Sequence, residues 1–498
     1  MIEERNHENG TGFLKPLVNA YSTFPLHGMT TIPGKISGSL LVAGAITDAV
    51  PLIHGPIGCA YQRKLNPFKL HSLFYETPCT DMNDLDIVYG GEEKLKRGIK
   101  ETFERYHPNL IIVITTCASD LIGDDFKSVV EVAGADVDCD LVYTTGDFVE
   151  RARPVGYQDA LYAIADQLLC NNTDAEAVER TDNSVNIVTF PIHGSGVRTG
   201  EMSSVLEEIG IGINKVCFDH TTVSDLRDLV CAELTITDYP MVWTKRMKER
   251  LGIDYYEIVS FDRYKETGDS DLLCPYGIDG SARIFREIAS RFGLEGEADE
   301  VIEKRKKDTL KKLLRIIPDL SGKKVACSGM GGLHGIELLL LRDLGMKASV
   351  ITYRTEGLET ILDDDALDEV LNITRGWATK YGSDPEIIVN PTFEEEIRTI
   401  KRTGTDMVIS TSASAHGYNR EGLRTFDPVS FMLHHQRVGF ECVIELAQLM
   451  REALKKPGKR NPLLSMLEYD SHRTGMTPHW ATLAEMFGTI RSKAVGDR

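Results

Sequence analysis

The chain of 498 residues is 42% apolar and 26% charged, an ordinary soluble composition long enough for about three domains. Its formal net charge of −19 argues against a general nucleic-acid binder and for an acidic surface that favours solubility or a basic partner face. The opening MIEERNHENG lacks the basic-then-apolar run of a secretion signal, and no apolar stretch reaches the roughly 20 residues of a membrane span, so a cytoplasmic, membrane-free protein is expected.

In chain order, an N-terminal arm is expected over 1–40 and a first α/β domain over 41–172. There the apolar approach AITDAVPLI runs into HGPIGCAYQRKLNPF, which places Cys59 at the tip of a turn constrained by two glycines and a proline. The run NLIIVITT predicts a buried strand over Asn109–Thr116, with Cys117 at its carboxyl end. GDDF then opens a helix, with Asp124 or Asp125 as its N-cap. The polar segment Cys170–Ser184 separates this unit from a second domain over 185–295. In that domain a strand is expected at Val185–Pro191, a glycine-rich turn after it, and a helix from Gly200.

The charged run EGEADEVIEKRKKDTLKKLL predicts a helix with a solvated face, leading into a third domain within 296–498. KKVACSGMGGLHGIELLLLRDLGM repeats the pattern of strand, glycine-rich turn and helix, with Leu338 to Leu341 as the apolar stripe. Further strands are read in MKASVITY, PEIIVN and TDMVIST, and terminal helices close the chain. Continuous apolar strands alternating with helices imply an α/β protein of three Rossmann-like, doubly wound parallel-sheet domains around a central cavity. Ligands in such sheets collect at the carboxyl ends of the strands. GMGGLHG misses the GxGxxG register by one place and no GxxxxGK[ST] occurs, so the chain is not expected to hydrolyse ATP.

Ten cysteines in a reducing compartment are expected as thiols rather than disulfides, and no CxxC or CxxxC pair writes a local metal loop. Cys59 and Cys117 each follow a strand of one domain and can therefore lie side by side at a sheet edge. Soft thiolates among backbone amides suit iron–sulfur ligation, the alternative being two inert buried thiols.

HGPIGCAY, DIVYGGEEKL and TTCASDLIGDD together resemble the nitrogenase component 1 superfamily. That superfamily includes the nitrogenases, their cofactor-assembly scaffold, protochlorophyllide reductase and methylthio-alkane reductase. RMKERLGIDYYEI, GGLHGIELLLLRDLGM and VGFECVIELAQLM extend the resemblance along the chain. It implies a chain that pairs with a homologous second chain, as an α2β2 assembly or a homodimer. The two chains would share an interface iron–sulfur cluster of the 4Fe–4S or eight-iron P-cluster type.

Cys59 and Cys117 match two of the three expected ligand positions. The third falls near PGKISGSLLVAG, where Ser37 or Ser39 stands, and Cys79 is the nearest spare thiol. A second, large iron–sulfur cofactor would hang from a cysteine and a histidine. The cysteine position reads AELTITDYPM, with Thr237 and Asp238 and no thiol, and Cys231 lies too early. His434 and His435 stand near the histidine position. His334, His416 and Arg420 are implied as groups at the cavity, and Arg63 and Lys64 as charge balance for a cluster.

The function implied first is a subunit of a nitrogenase-like two-component reductase. An ATP-dependent iron–sulfur reductase would feed electrons through the cluster to a small-molecule substrate, methylthio-alkanes being preferred. The alternatives are a cofactor-assembly scaffold and a β-type chain without its own active-site cofactor.

Overall fold

The computed structural model describes residues 35–64, 77–146, 153–174, 177–188, 200–218, 221–238, 242–328, 336–354, 364–410, 412–428, 431 and 438–455. For 61–64, 153–154, 261, 336–337, 364–366, 412–414 and 416 it describes the backbone alone.

Three separate sheets carry the fold, and every strand pairing in them is parallel. The first is β1 (Ala49–His54), β2 (Leu110–Thr115) and β3 (Asp140–Thr144), in spatial order β1-β2-β3. The second is β4 (Ser184–Val188), β5 (Gly212–Cys217), β6 (Leu234–Thr237) and β7 (Asp254–Glu257), in order β5-β4-β6-β7. The third is β8 (Lys324–Cys327), β9 (Lys347–Tyr353), β10 (Glu386–Val389), β11 (Met407–Ile409) and β12 (Thr425–Phe426), in order β10-β9-β8-β11-β12. In the second and third sheets the winding reverses between β4 and β6 and between β8 and β11, the places where doubly wound proteins open a crevice. The expected α/β class with Rossmann-like parallel sheets is therefore the observed one.

The helices of the first unit are α1 (Lys35–Gly44), α2 (Ile57–Lys64), α3 (Asp84–Tyr89), α4 (Glu92–Tyr106), α5 (Cys117–Ile122), α6 (Phe126–Ala133) and α7 (Arg153–Ala163). The longer helices of the second are α8 (Gly200–Ile209), α9 (Val242–Leu251) and α10 (Gly277–Ala289), followed by the charged α11 (Glu295–Leu313). The third carries α12 (Ile336–Arg342), α13 (Asp364–Lys380), α14 (Phe393–Arg402), α15 (Ser412–Arg420) and the closing α16 (Glu441–Lys455). Among the described residues no helix is long and apolar enough to cross a membrane.

The β-branched run LIIVIT makes β2 the central strand of the first sheet, with every residue buried. Its side chains alternate between two cores, as the period of a strand dictates. Leu110, Ile112 and Ile114 join Ile36, Leu40, Tyr157 and Leu168 on one face, while Ile111 and Val113 meet Leu95, Ile99 and Val130 on the other. Each such side chain is worth about 1.5–3 kcal/mol of transfer free energy. A one-residue slip of register would exchange the two sets.

The first of these cores does not stop at the unit. Val188, Cys217, Trp243 and Met247 of the second unit belong to it. Arg246 on α9 also reaches Asp166, beyond the end of α7, at 2.6 Å. Helices α1 and α7 approach so closely at Gly156 that any side chain there would run into the backbone of Lys35. The Ser39 hydroxyl, fully buried, donates to the Gly156 carbonyl at 3.1 Å in the same contact.

Leu338 to Leu341 of α12 are all buried, as the apolar stripe predicts. The N-terminus of α16 is held across units by Glu201 of α8. Its carboxylate accepts from the N–H groups of Phe440 at 2.8 Å and Glu441 at 3.0 Å. Burial pushes the Glu201 carboxyl above its ordinary value, and these two donors oppose the rise.

Candidate functional site at the carboxyl edge of the first sheet

Strands β1 and β2 end in register, His54 opposite Thr115, so the turns that follow them lie next to one another. Gly55 packs against Thr116 with no room for a side chain between them. This contact explains why the turn after β1 needs glycine: the second turn occupies the space a Cβ would fill. Beyond the turns the chain enters short helices rather than open loops. Cys59 is the third residue of α2 and half-buried, and Cys117 is the first residue of α5 and exposed. Thr116 caps α5 in reciprocal bonds with Ser119, whose hydroxyl donates to the His54 carbonyl at 2.9 Å. The end of β1 and the start of α5 are thus tied directly.

His54 itself is buried and bonded at both ring nitrogens. Nδ1 lies 3.1 Å from the Thr80 hydroxyl and Nε2 lies 3.1 Å from Asp124 Oδ2. The Asp124 carboxylate accepts from Nε2, so in the neutral ring Nδ1 accepts from the Thr80 hydroxyl, which itself accepts from the Gly55 N–H at 3.1 Å. That leaves the neutral imidazole with its proton on Nε2, donated to Asp124. Burial lowers the His54 pKa, with Asp124 pulling the other way. Asp124 also accepts from the Gly91 N–H at 2.9 Å.

The three stretches that carried the resemblance therefore meet in one cluster: His54 from HGPIGC, Gly91 from YGGEE and Asp124 from IGDD. Gly91 has no room either, since a Cβ would stand 2.7 Å from Met82 Cε and 2.8 Å from Asp124 Oδ2. Gly90 before it closes α3 at φ +98°, a conformation that glycine alone adopts freely. Of the two aspartates considered as N-caps, Asp125 takes the role, accepting from the Ser128 N–H at 3.3 Å. Asp124 is spent on the buried cluster.

Cys79 reaches the same edge by another route. It forms an isolated bridge with Ile53, and its thiol donates to the Gly55 carbonyl at 3.1 Å. Three thiols, Cys59, Cys79 and Cys117, thus belong to segments gathered at one edge. Among the described residues, no three His, Cys, Asp or Glu side chains form a group that could hold a metal ion. Cys59 and Cys117 would supply part of a ligand set, not a complete one.

Over this edge lies an apolar surface. Helix α3 buries none of its residues, and it leaves Leu85 at 68%, Val88 at 71% and Tyr89 at 84% exposure. Ile57 of α2 and Leu121 of α5 are exposed beside the thiols. Asp84, Glu92, Glu93 and Asp125 are exposed on the same segments, as are Lys96, Arg97 and Lys127, and Lys94 pairs with Asp86 at 2.7 Å. Exposed apolar side chains among charged ones are a composition that docking faces share.

The remaining expected residues are distributed as follows. Ser37 and Ser39 sit on α1, buried, with Ser39 committed to the α1–α7 contact. Thr237 ends β6, Asp238 follows it buried, and Cys231 lies half-buried in the turn before β6. His416 is on α15, its side chain outside the described residues, as are those of Arg63 and Lys64, and Arg420 is exposed at the end of that helix. His334, His434 and His435 lie outside the described residues.

Sequence reasoning missed a second buried cluster at the crevice of the third sheet. Glu396 of α14, fully buried, accepts from Thr352 at 2.7 Å, Arg354 at 2.6 Å, Tyr418 at 2.8 Å and the Ser328 hydroxyl. It ties the ends of β8 and β9 to α15. No local signal announces it, because its members are scattered over ninety residues, from Ser328 to Tyr418.

Fold and site together define a three-sheet parallel α/β protein with cysteine-bearing turns beside an exposed apolar helix. The sequence model of the nitrogenase component 1 type oxidoreductases matches residues 35–455, and the chain belongs to that family. It is 26% identical to the nitrogenase iron-molybdenum cofactor biosynthesis protein NifE of Rippkaea orientalis, over 85% of this chain and 86% of that protein. It is 24% identical to the nitrogenase molybdenum-iron protein alpha chain of Methanothermobacter marburgensis, over 90% of this chain and 93% of that one. The solved structure of nitrogenase Cp1 at pH 5 shares the fold, with a TM-score of 0.62 at 19% identity and 92% of each chain covered.

Proposed function

We propose that the chain is an iron–sulfur scaffold of the component 1 type, pairing with a homologous chain and serving the assembly of a cofactor. The observation that carries the reading is the pair of cysteine turns held side by side, with part of a ligand set and an apolar face above it. Cys59 and Cys117 would hold this chain's share of a cluster, and Cys79 is the adjacent thiol that could extend it. When bound, such a cluster supplies one-electron transfer. The chain's own residues shape the two turns, exclude water from the His54 side and present an apolar surface to a partner. Similarity to cofactor biosynthesis proteins over most of both chains supports assembly over turnover.

A second reading, a subunit of a two-component reductase, is supported by the similarity to the molybdenum-iron protein alpha chain. Either reading uses the same docking face for an ATP-dependent reductase, since no ATP-binding P-loop is written in this chain. The test is anaerobic purification from cells that co-express a homologous component 1 chain. Iron that Cys117→Ser diminishes, together with activation of a cofactor-free acceptor enzyme, supports the scaffold. ATP-dependent substrate reduction with no transfer supports the reductase, and iron-free protein overturns both.

A further inference from the structure

The geometry points to Asp124 as a positioning residue that fixes the exposed helix α3 to the cysteine turns, an inference that rests on the site reading above. The argument begins with what α3 lacks. None of its six residues is buried, so it has no core face of its own to hold it in place. Its N-terminus is capped locally by Asn83, next to Met82, whose N–H reaches the Gly55 carbonyl at 3.0 Å, and Asp86 pairs with Lys94 of α4 at 2.7 Å. Its C-terminal side is fixed through Gly91, whose N–H is received by Asp124 at 2.9 Å.

The same carboxylate receives His54 Nε2 at 3.1 Å, and its side chain is only 3% exposed. Through His54 it reaches the turn before Cys59. Through its own chain it lies seven residues beyond Cys117. One buried carboxylate therefore joins the helix that would meet a partner to both turns that would meet a cluster. Removing it takes the acceptor from the Gly91 N–H and from His54 Nε2 together, while leaving β2 and the cores on its two faces untouched.

The test uses the full chain under anaerobic conditions. It reads backbone hydrogen exchange by segment and alkylation of individual cysteines by N-ethylmaleimide. In Asp124→Ala, exchange across 84–91 is expected to quicken about tenfold or more, the scale of one lost hydrogen bond to a charged group. Alkylation of half-buried Cys59 and Cys79 should rise several-fold, while exposed Cys117 and the amides of β2 stay as they are. Asp124→Asn keeps one acceptor oxygen for the two donors and should fall between alanine and wild type.

If alanine leaves 84–91 and Cys59 at wild-type rates, the inference is overturned. It is overturned equally if asparagine exposes β2 along with α3, since Asp124 would then be a general core residue. Iron uptake from ferrous iron and sulfide by the wild-type chain is scored separately. Its failure removes the cluster reading without touching the exchange result.

Discussion

At the scale of single residues, two positions have consequences that can be measured. Gly91 sits where a Cβ would meet Met82, Asp124 and His54 within 3.0 Å. Gly91→Ala should cost about 1–3 kcal/mol in denaturant unfolding, the usual effect of overpacking, although its φ of −102° suits any residue. An unchanged midpoint would show that the cluster can relax.

Asp343 is the second. Burial lifts its carboxyl to about 6, Arg342 opposing the shift and Asp279 adding to it. The folded state therefore holds this proton more tightly than the unfolded chain does. The group's contribution is full below the unfolded carboxylate pKa and is lost as pH rises toward 6. Asp343→Asn should gain stability over wild type progressively between pH 4 and 7, by about 1–3 kcal/mol at the upper end. Urea titrations at four pH values that give a constant difference would refute this.

At the scale of elements, the sequence made the strongly patterned ones legible and left the pairings between them hidden. LIIVIT, SVNIV and KASVITY announce themselves as buried strands because both faces of a parallel sheet are covered. The HG of HGPIGC was recognisable as a constrained turn, yet its cause, the Thr116 side chain, lies 61 residues away. Helix α3 was legible only as a motif, because its apolar residues face outward and follow no amphipathic period. The order β10-β9-β8-β11-β12 depends on crossovers that no local pattern records.

Element-scale energetics are sharpest at Glu396, which joins α14 to two strand ends and to α15. Glu396→Ala would strand the buried Arg354 guanidinium and should lower stability by about 3–5 kcal/mol. Glu396→Gln, which still accepts hydrogen bonds, should cost less. Equal midpoints for the two variants would show that the charge, not the carbonyl oxygen, carries the effect.

At the scale of the whole molecule, the first and second units share a core and should unfold together. Trp243, on α9 of the second unit and 3% exposed, packs into the first unit's apolar cluster. Trp243→Ala should cost about 3–5 kcal/mol and quicken exchange in β2 and β4 in parallel. Acceleration confined to β4 would mean that the units are independent.

The His54 cluster differs from that shared core in being local. Its members run from His54 to Asp124, a separation of 70 residues. The apolar face behind it is closed by Leu52, Ile99, Val113, Val130 and Tyr143. Among the described residues, nothing from the second or third sheet enters it. During synthesis, which delivers the N-terminal unit first, the His54 cluster can close before most of the protein has left the ribosome. The tie between His54, Gly91 and Asp124 would then be in place before the second unit completes the shared core, so the order of translation, as much as packing, governs when this edge takes its shape.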